Sequence, residues 1–235
     1  MRPLPILVIL HKRCSSTGRI GRALAAKGYP LDIRLPRFGD PLPPTLAGHS
    51  GAIVFGGPMS ANDPDDYIRR EIDWLRTPLI ENKPFLGVCL GGQMLAKHLG
   101  GVVRPHEEAL VEVGYQRIRP TEAGVAMPSR VYHWHREGFS LPRGATLLAR
   151  GDVFENQAFR YGSAVAVQFH PEITLGMIHR WTAQSLHKFS GPHVQQRTAQ
   201  IARHLLQAPR QQKWLSDFLS SWLQGVSADI ASRTG

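Results

Sequence analysis

Residues 84–101 read Pro-Phe-Leu-Gly-Val-Cys-Leu-Gly-Gly-Gln-Met-Leu-Ala-Lys-His-Leu-Gly-Gly, and this segment is the most informative about the fold. The short apolar run at 84–88 predicts a strand buried on both faces, as in a parallel sheet. Residues 93–99 predict a helix behind that strand, which Gly100 and Gly101 end. The stretch therefore predicts a strand–turn–helix unit with Cys89 at the turn.

The same order of elements extends towards the amino terminus. Apolar runs at 4–10 and 52–55 and an alternating segment at 31–35 predict three more strands. Helical spacing around Ile20 and Leu24 and at 67–75 places helices between them. This β-α alternation predicts an α/β fold, a doubly wound and mostly parallel sheet with flanking helices of the flavodoxin-like type. Ligands of such sheets bind at the carboxyl ends of the strands.

The second half of the chain departs from this alternation. Shorter strand-like segments predict an antiparallel extension of the sheet, at 111–119, 130–133, 146–149 and 164–169. Helical periodicity follows at 177–189, 194–206 and 212–223, with Trp181, Leu205, Leu206, Trp214, Phe218 and Trp222 as the apolar anchors. We expect one domain over residues 1–190 and a C-terminal helical extension over 191–235, which packs on that domain or on a partner.

The amino-acid composition and the net charge indicate which classes of protein to exclude. The chain has 235 residues, of which 42% are hydrophobic and 20% charged, as is typical of a globular protein. The net charge is +10, but the basic residues are scattered and no recognition helix or zinc spacing accompanies them, so no nucleic-acid partner is expected. The apolar run at 4–10 is too short for a membrane span, and the two cysteines suit a reducing compartment. A cytoplasmic protein without a membrane partner is expected.

Cys89 lies in the sequence Gly-Val-Cys-Leu-Gly, the context of a nucleophile elbow. Small neighbours permit a sharp turn that projects the side chain above the sheet. At the amino end of a helix, the backbone dipole stabilises a thiolate, which is the reactive form. The alternative is a buried structural cysteine, since free cysteine is commonly a small core residue. The context favours the nucleophile.

A nucleophilic cysteine needs a base, and two other segments supply the remaining groups. Gln-Phe-His-Pro-Glu at 168–172 follows the apolar run 164–167, so His170 reaches the same sheet edge as Cys89 and Glu172 can orient its ring. Taken alone, His170 would be a surface histidine at a strand end. Gly56-Gly57-Pro58 also follows a strand, and the N–H groups of Gly57 and Leu90 form a candidate oxyanion hole. Without the other two motifs, it would be a tight turn with no ligand.

Together, these three motifs resemble the class I, triad-type glutamine amidotransferases, over about residues 1–190. The resemblance implies that Cys89 attacks the side-chain amide of glutamine, that His170 is the general acid and base, and that Glu172 orients it. It implies hydrolysis of a glutamyl thioester to glutamate and ammonia, with no cofactor. Substrate-binding candidates are Gly56, Gln93, Trp134, Arg136 and Glu137. Relatives often have Gly-Asp in place of Arg136-Glu137. His133 and His135 resemble metal ligands, but no third ligand has suitable spacing, so no metal is expected.

The acceptor of ammonia is not visible in the sequence. No phosphate-cradling motif such as Gly-x-x-x-x-Gly-Lys-Ser/Thr occurs in the 235 residues. Three interpretations stay open. The first is a glutaminase or amidotransferase that works with a separate synthetase, the second is a γ-glutamyl peptidase, and the third is an amidotransferase subunit that is dormant until bound to its synthetase. In each case the small-molecule substrate is glutamine or another γ-glutamyl compound.

Overall fold

The computed structural model describes residues 3–124 and 126–224 of the chain. Its centre is a nine-stranded sheet in the order β2-β1-β3-β4-β11-β10-β9-β6-β7. The first five strands in this order are parallel to one another: Ile6–Ile9 (β1), Leu31–Arg34 (β2), Gly51–Val54 (β3), Phe85–Val88 (β4) and Ala164–Val167 (β11). This half confirms the predicted parallel sheet. It also contains β11, which corrects the prediction of 164–169 as part of the antiparallel extension, since β11 pairs in parallel with β4.

The other half of the sheet is antiparallel from β11 onwards, which confirms the predicted extension. Its strands are Asn156–Tyr161 (β10), Thr146–Gly151 (β9), Glu112–Pro120 (β6) and Arg130–His135 (β7). Val103–Pro105 (β5) and Glu137–Phe139 (β8) form a separate two-stranded sheet. The sequence analysis did not predict β5, β8 or β10.

Helices cover both faces of the sheet because alternate residues of the central strands point to opposite sides. The helices are Gly18–Ala26 (α1), Asp66–Trp74 (α2), Arg76–Ile80 (α3), Leu90–His98 (α4), Leu175–Ser185 (α5, continued by a 3₁₀ turn, Leu186–Lys188) and Arg197–Gln224 (α6). Ile6 and Val8 lie in one core with α1, whereas Leu7 and Ile9 lie in the other with α2 and α4. The helix α3 was not predicted.

The C-terminal extension differs from the prediction of two helices, since α6 is a single helix with Pro209 inside it. Proline removes one N–H, which leaves the carbonyl of Leu205 without its helical partner. Leu205 is 62% exposed, so water can take up that bond and the helix continues. Leu205 and Leu206 are therefore not apolar anchors, which corrects that prediction.

The distal part of α6 packs on the domain. Leu215, Leu219 and Trp222 are buried in the same core as α1, and Nε1 of Trp222 donates a 3.1 Å hydrogen bond to the carbonyl of Phe85. The predicted anchors Trp214 and Phe218 pack at the edge of that core. The last part of the predicted extension, residues 225–235, lies outside the described residues. Over residues 3–124 and 126–224, no helix is both long and apolar enough to cross a bilayer.

Candidate active site

Cys89 occupies the turn between β4 and α4 in a backbone conformation that side chains rarely adopt, with φ of 52° and ψ of −106°. The close approach of α4 to the sheet depends on Gly91, because a Cβ there would lie 2.1 Å from the carbonyl oxygen of Val54. Strained backbone of this kind persists only where surrounding contacts hold it. The sulfur is 3.7 Å from Nε2 of Gln168. The turn thus has the form of the predicted elbow.

His170 lies three residues beyond the end of β11, at the same sheet edge as Cys89. Its backbone N–H donates to the carbonyl of Tyr132 at 2.8 Å, which ties this turn to β7. Its ring Nδ1 lies 2.8 Å from Oε1 of Glu172, and both side chains are buried. Its Nε2 is also buried and has no hydrogen-bond partner among the described residues. One ring nitrogen is therefore fixed by a carboxylate, and the other is left open.

The charges around His170 decide its protonation. Burial lowers the pKa of His170, but the charges of Glu172 and Cys89 raise it more, so the pKa reaches about 10. A buried imidazolium is stabilised only if anionic groups stand beside it. The structure therefore favours a protonated His170 near neutral pH, between a carboxylate and the sulfur of Cys89.

The Gly56-Gly57 turn closes one side of this arrangement. A Cβ on Gly56 would lie 2.9 Å from Cε1 of His170 and 3.3 Å from Cβ of Cys89, so only glycine fits between them. Gly57 follows the end of β3, and Leu90 is the first residue of α4. Neither backbone N–H donates to a protein acceptor within the described part of the chain. These two donors, predicted as an oxyanion hole, lie at one end of the sheet with Cys89.

A second buried histidine and carboxylate stand behind this turn, and the sequence analysis did not identify them. Nε2 of His11 lies 2.8 Å from Oε2 of Glu71, and Nδ1 of His11 lies 3.3 Å from the carbonyl oxygen of Gly56. Both side chains are buried. The carbonyl of Gly56 and the N–H of Gly57 belong to one trans peptide unit and point in opposite directions. A donor on that carbonyl therefore fixes the direction of the Gly57 N–H.

A cavity of about 520 Å³ opens above Cys89 and His170, and it contains the predicted substrate-binding side chains Gln93, Trp134, Arg136 and Glu137 in its walls. Nε2 of Gln93 donates to the carbonyl of Glu137 at 2.9 Å and to Oε1 of Gln168 at 3.2 Å. The amide nitrogen of Gln93 is thus used inside the wall. Arg136 is exposed, with its guanidinium 5.4 Å from the Phe189 ring centroid.

The structure corrects the expectation that His133 and His135 have no third companion. Oε2 of Glu112 lies 3.1 Å from Nε2 of His135 and 3.5 Å from Nδ1 of His133, and all three side chains are buried. Sequence spacing missed Glu112 because it lies on β6, directly opposite His135 on β7.

These three side chains form a candidate set of metal ligands, and their contacts also make them a hydrogen-bonded group. Oε2 of Glu112 also accepts from Gln157 at 3.0 Å, and Nδ1 of His135 lies 3.0 Å from the carbonyl of Glu137. Burial raises the pKa of Glu112, but the charges and hydrogen bonds of the two histidines lower it more, to about 2. Burial lowers the pKa of His133 to about 3. Since Nε2 of His133 has no acceptor among the described residues, a metal on its Nδ1 would leave a buried N–H unpaired.

Several groups at the site carried little or no signal in the sequence. Gln168 stands inside the quoted Gln-Phe-His-Pro-Glu motif, so it was within reach of sequence reasoning. His11 follows β1 at the carboxyl edge, but its partner Glu71 lies 60 residues later on α2, and no local pattern joins them. Arg180 and Trp181 of α5 also line the cavity, which only the packing of that helix on the sheet reveals.

The fold and the site define a class of protein: an α/β domain with a cysteine on a strained strand-to-helix turn, beside a buried His–Glu pair. The family described as glutamine amidotransferase class-I matches residues 15–188 of the sequence. The chain belongs to this family, which confirms the resemblance and identifies an enzyme of the glutamine amidotransferase class.

Curated relatives and solved structures agree with this assignment. A glutamine amidotransferase-like protein of Salmonella typhimurium, YfeJ, is 28% identical over 71% of this chain and 75% of its own. The glutamine-hydrolysing GMP synthase of Pyrococcus abyssi has a subunit that is 33% identical, over 72% of this chain and 89% of its own. A whole GMP synthase of Porphyromonas gingivalis is 34% identical over 56% of this chain, but that match spans 26% of its own length.

A solved glutamine amidotransferase from Methylobacillus flagellatus superposes with a TM-score of 0.87 at 28% identity and covers 95% of each chain. One from Thermotoga maritima superposes at 0.85 with 26% identity, over 94% of this chain and 98% of that one. Because both matches extend beyond residues 15–188, they include most of the C-terminal helix.

Proposed function

We propose that this protein hydrolyses the γ-amide of glutamine through a glutamyl thioester on Cys89, and so releases ammonia and glutamate. The observation that carries the proposal is the placing of Cys89 at a strained elbow beside His170, whose other ring nitrogen is held by Glu172 at 2.8 Å. Membership of the class I family supports hydrolysis of glutamine.

The steps follow from the geometry. The thiolate of Cys89 attacks the γ-carbonyl carbon, and the oxygen of the resulting tetrahedral adduct accepts hydrogen bonds from the N–H groups of Gly57 and Leu90. His170, protonated at the start, donates its proton to the leaving nitrogen as the C–N bond breaks. Ammonia leaves and the glutamyl thioester remains. Water then attacks the thioester while His170 takes up its proton, and glutamate and the thiolate are released.

Two carboxylates support this sequence in different ways. Glu172 orients the ring of His170 and stabilises its cationic form, as the acid of a triad does. Glu71 acts one step further away, because it holds His11, which in turn contacts the Gly56 carbonyl. We assign His11 and Glu71 as positioning residues for the oxyanion hole.

The amino-acid end of glutamine requires charged partners in the cavity. Arg136 is a cation suited to the substrate carboxylate, and Glu137 is an anion suited to the substrate ammonium group. Glu137 accepts a hydrogen bond from the hydroxyl of Ser60 at 3.0 Å, which holds it at the wall. Trp134 supplies an apolar surface for the methylene groups, and Gly56 and Gln93 complete the wall.

The fate of the ammonia depends on a partner. Several relatives of this chain are glutamine-hydrolysing subunits of GMP synthases, so a separate synthetase is the natural acceptor, and the enzyme would then be slow until that synthetase binds. The second candidate is hydrolysis of γ-glutamyl peptides, which the size of the cavity, about 520 Å³, favours because glutamine itself is small. The chemistry at Cys89 is the same in both cases.

Glutamate release from glutamine by purified protein tests the proposal, with Cys89→Ala as the test variant and Cys14→Ser as the matched control. Cys14 is the other free cysteine; it is exposed and also lines the cavity, where serine keeps the size of its side chain. We expect release by the wild type and by Cys14→Ser, and none by Cys89→Ala. Release by Cys89→Ala would contradict the mechanism. A folded wild type without activity, which gains it on addition of a synthetase, would identify the dormant form.

A further inference from the structure

One wall of the cavity is formed by a single face of α5 and the 3₁₀ turn that continues it. Arg180, Trp181, Gln184, Ser185 and Lys188 all line the cavity with Cys89. Each of them lies three or four residues from another member of the set, which places all five on one face of the helix. This α5 wall therefore presents two cations, an amide and a hydroxyl to the same space as the nucleophile.

The charge of the α5 wall is not balanced by neighbouring acids. The 44 residues between Glu172 and Asp217 contain no aspartate or glutamate. Arg180 and Lys188 are exposed, and neither forms a salt bridge with any residue that the structure describes. The three acids that line the cavity have other partners: Glu172 holds His170, Asp63 accepts from the backbone N–H of Ser60, and Glu137 accepts from the Ser60 hydroxyl. The wall is thus a positively charged surface without an internal counterion.

The reaction geometry places the α5 wall next to the leaving group. His170 delivers a proton to the leaving nitrogen, so that nitrogen and whatever it carries lie on the His170 side of the cavity. The Trp181 ring packs edge-on against His170 with ring centroids 4.9 Å apart. The side chains one turn further along this helix face therefore line the cavity beyond the point where the leaving group departs. Ammonia, the leaving group of glutamine, has no anionic group with which these cations could pair.

We propose that the α5 wall is a subsite for a carboxylate on the leaving group, so that the preferred substrates are γ-glutamyl derivatives of amino acids. Arg180 and Lys188 pair with that carboxylate, while the γ-glutamyl half sits over Cys89. The bond that breaks joins the γ-carbonyl carbon to the amino nitrogen of the second amino acid, and His170 protonates that nitrogen. Water then releases glutamate from the thioester. This inference rests on the proposed reaction at Cys89 and specifies its substrate class.

The test compares γ-glutamylglycine with γ-glutamylglycinamide, whose leaving groups have similar size but end in a carboxylate and in a neutral amide, respectively. We expect the wild type to favour γ-glutamylglycine in kcat/KM by about tenfold, as two partly exposed ion pairs allow. Arg180→Gln/Lys188→Gln should reduce that ratio to about one. Arg203→Gln/Arg210→Gln removes the same charge from exposed positions on α6 and should keep the ratio.

The outcomes distinguish a failure of the proposed subsite from a failure of the proposed reaction. Cys89-dependent hydrolysis with equal rates for the two dipeptides would overturn the subsite and leave the proposed function standing. A folded wild type that hydrolyses neither dipeptide nor glutamine, even after addition of a synthetase, would contradict the function, and calorimetry with Cys89→Ala then tests the subsite alone. Binding of γ-glutamylglycine about tenfold tighter than the glycinamide, lost in the Arg180→Gln/Lys188→Gln background, would support the subsite. Equal affinities would overturn it.

Discussion

Two buried His–Glu pairs flank the Gly56-Gly57 turn, and they share the same 2.8 Å contact between ring nitrogen and carboxylate. His170 uses only Nδ1 in its pair, and its Nε2 is open beside Cys89. His11 has both ring nitrogens in contact with protein acceptors, one on Glu71 and one on the Gly56 carbonyl. A histidine with an open nitrogen can exchange a proton with substrate, whereas one with both nitrogens occupied can only hold a neighbour in place. In the proposed mechanism, the same pair of side chains therefore serves proton transfer in one case and positioning in the other.

The largest effect should come from the pair with the open nitrogen. In the proposed mechanism His170 protonates the leaving nitrogen, so we expect His170→Asn to lower kcat on the order of 10³-fold or more. Circular dichroism should show a folded protein. Alkylation of Cys89 by iodoacetamide should also slow, because the thiolate loses its cationic partner. Retention of more than a tenth of the wild-type kcat would show that another group transfers the proton.

Glu172→Gln should have the next largest effect, a loss of kcat on the order of 10²-fold to 10³-fold, since the amide orients the ring less well and carries no charge. The charge of Glu172 raises the pKa of His170 towards about 10, so its removal should lower that pKa. Because His170 acts in its protonated form in the proposed mechanism, the alkaline limb of the kcat/KM profile should move to lower pH. If the alkaline limb of this variant stayed at the wild-type pH, Glu172 would not be the group that raises the pKa of His170.

The pair behind the turn should have a smaller effect and leave the nucleophile intact. His11→Asn in combination with Glu71→Gln avoids leaving a buried charge unpaired, and we expect kcat to fall roughly 10-fold to 100-fold with little change in KM. The rate of Cys89 alkylation should stay at the wild-type value because the triad is untouched. A fall in alkylation as large as the fall in kcat would show that the pair supports the whole site rather than the Gly57 N–H.

A third group of histidine and carboxylate, Glu112 with His133 and His135, extends the comparison to the stability of the folded protein. The folded pKa of Glu112 is about 2, below the ordinary 4.5, so its contribution is present above pH 4.5 and is lost as the pH falls towards 2. Glu112→Gln should lower the free energy of unfolding at pH 7 by about 1–3 kcal/mol and flatten the loss at acid pH. Urea unfolding at pH 7 and pH 3 measures both, with the exposed Glu122→Gln as the control. Equal changes in the two variants would contradict a buried charge at Glu112.

Local sequence was enough to predict the groups whose interacting partners lie close to them in the chain. The turn at Cys89 needs small residues on both sides, and His170 and Glu172 are two residues apart, so a motif contains the whole relation. The parallel strands were equally visible, because burial on both faces produces continuous apolar runs such as 52–55. These parts of the fold are confirmed, while the catalytic roles stay predictions.

Relations between distant segments left no such pattern. Glu71 meets His11 only because α2 packs beside β1, and Glu112 meets His135 only through the register of β6 with β7. The strand β10 was missed because its side chains mix polar and apolar types, and β5 and β8 are only three residues long. Periodicity predicted two helices, at 194–206 and 212–223, but exposure of the carbonyl freed by Pro209 lets α6 continue between them. Tertiary packing decides each of these features.

Acid quench of the wild type during turnover of glutamine, followed by intact-mass and peptide-mass spectrometry, shows whether a glutamyl thioester forms on Cys89. We predict a fraction of the chain heavier by one glutamyl group, carried by the peptide that contains Cys89 and absent in Cys89→Ala. The Cys14→Ser variant should show the same adduct. Steady turnover with no adduct at any quench time, or an adduct that survives in Cys89→Ala, would contradict the thioester mechanism.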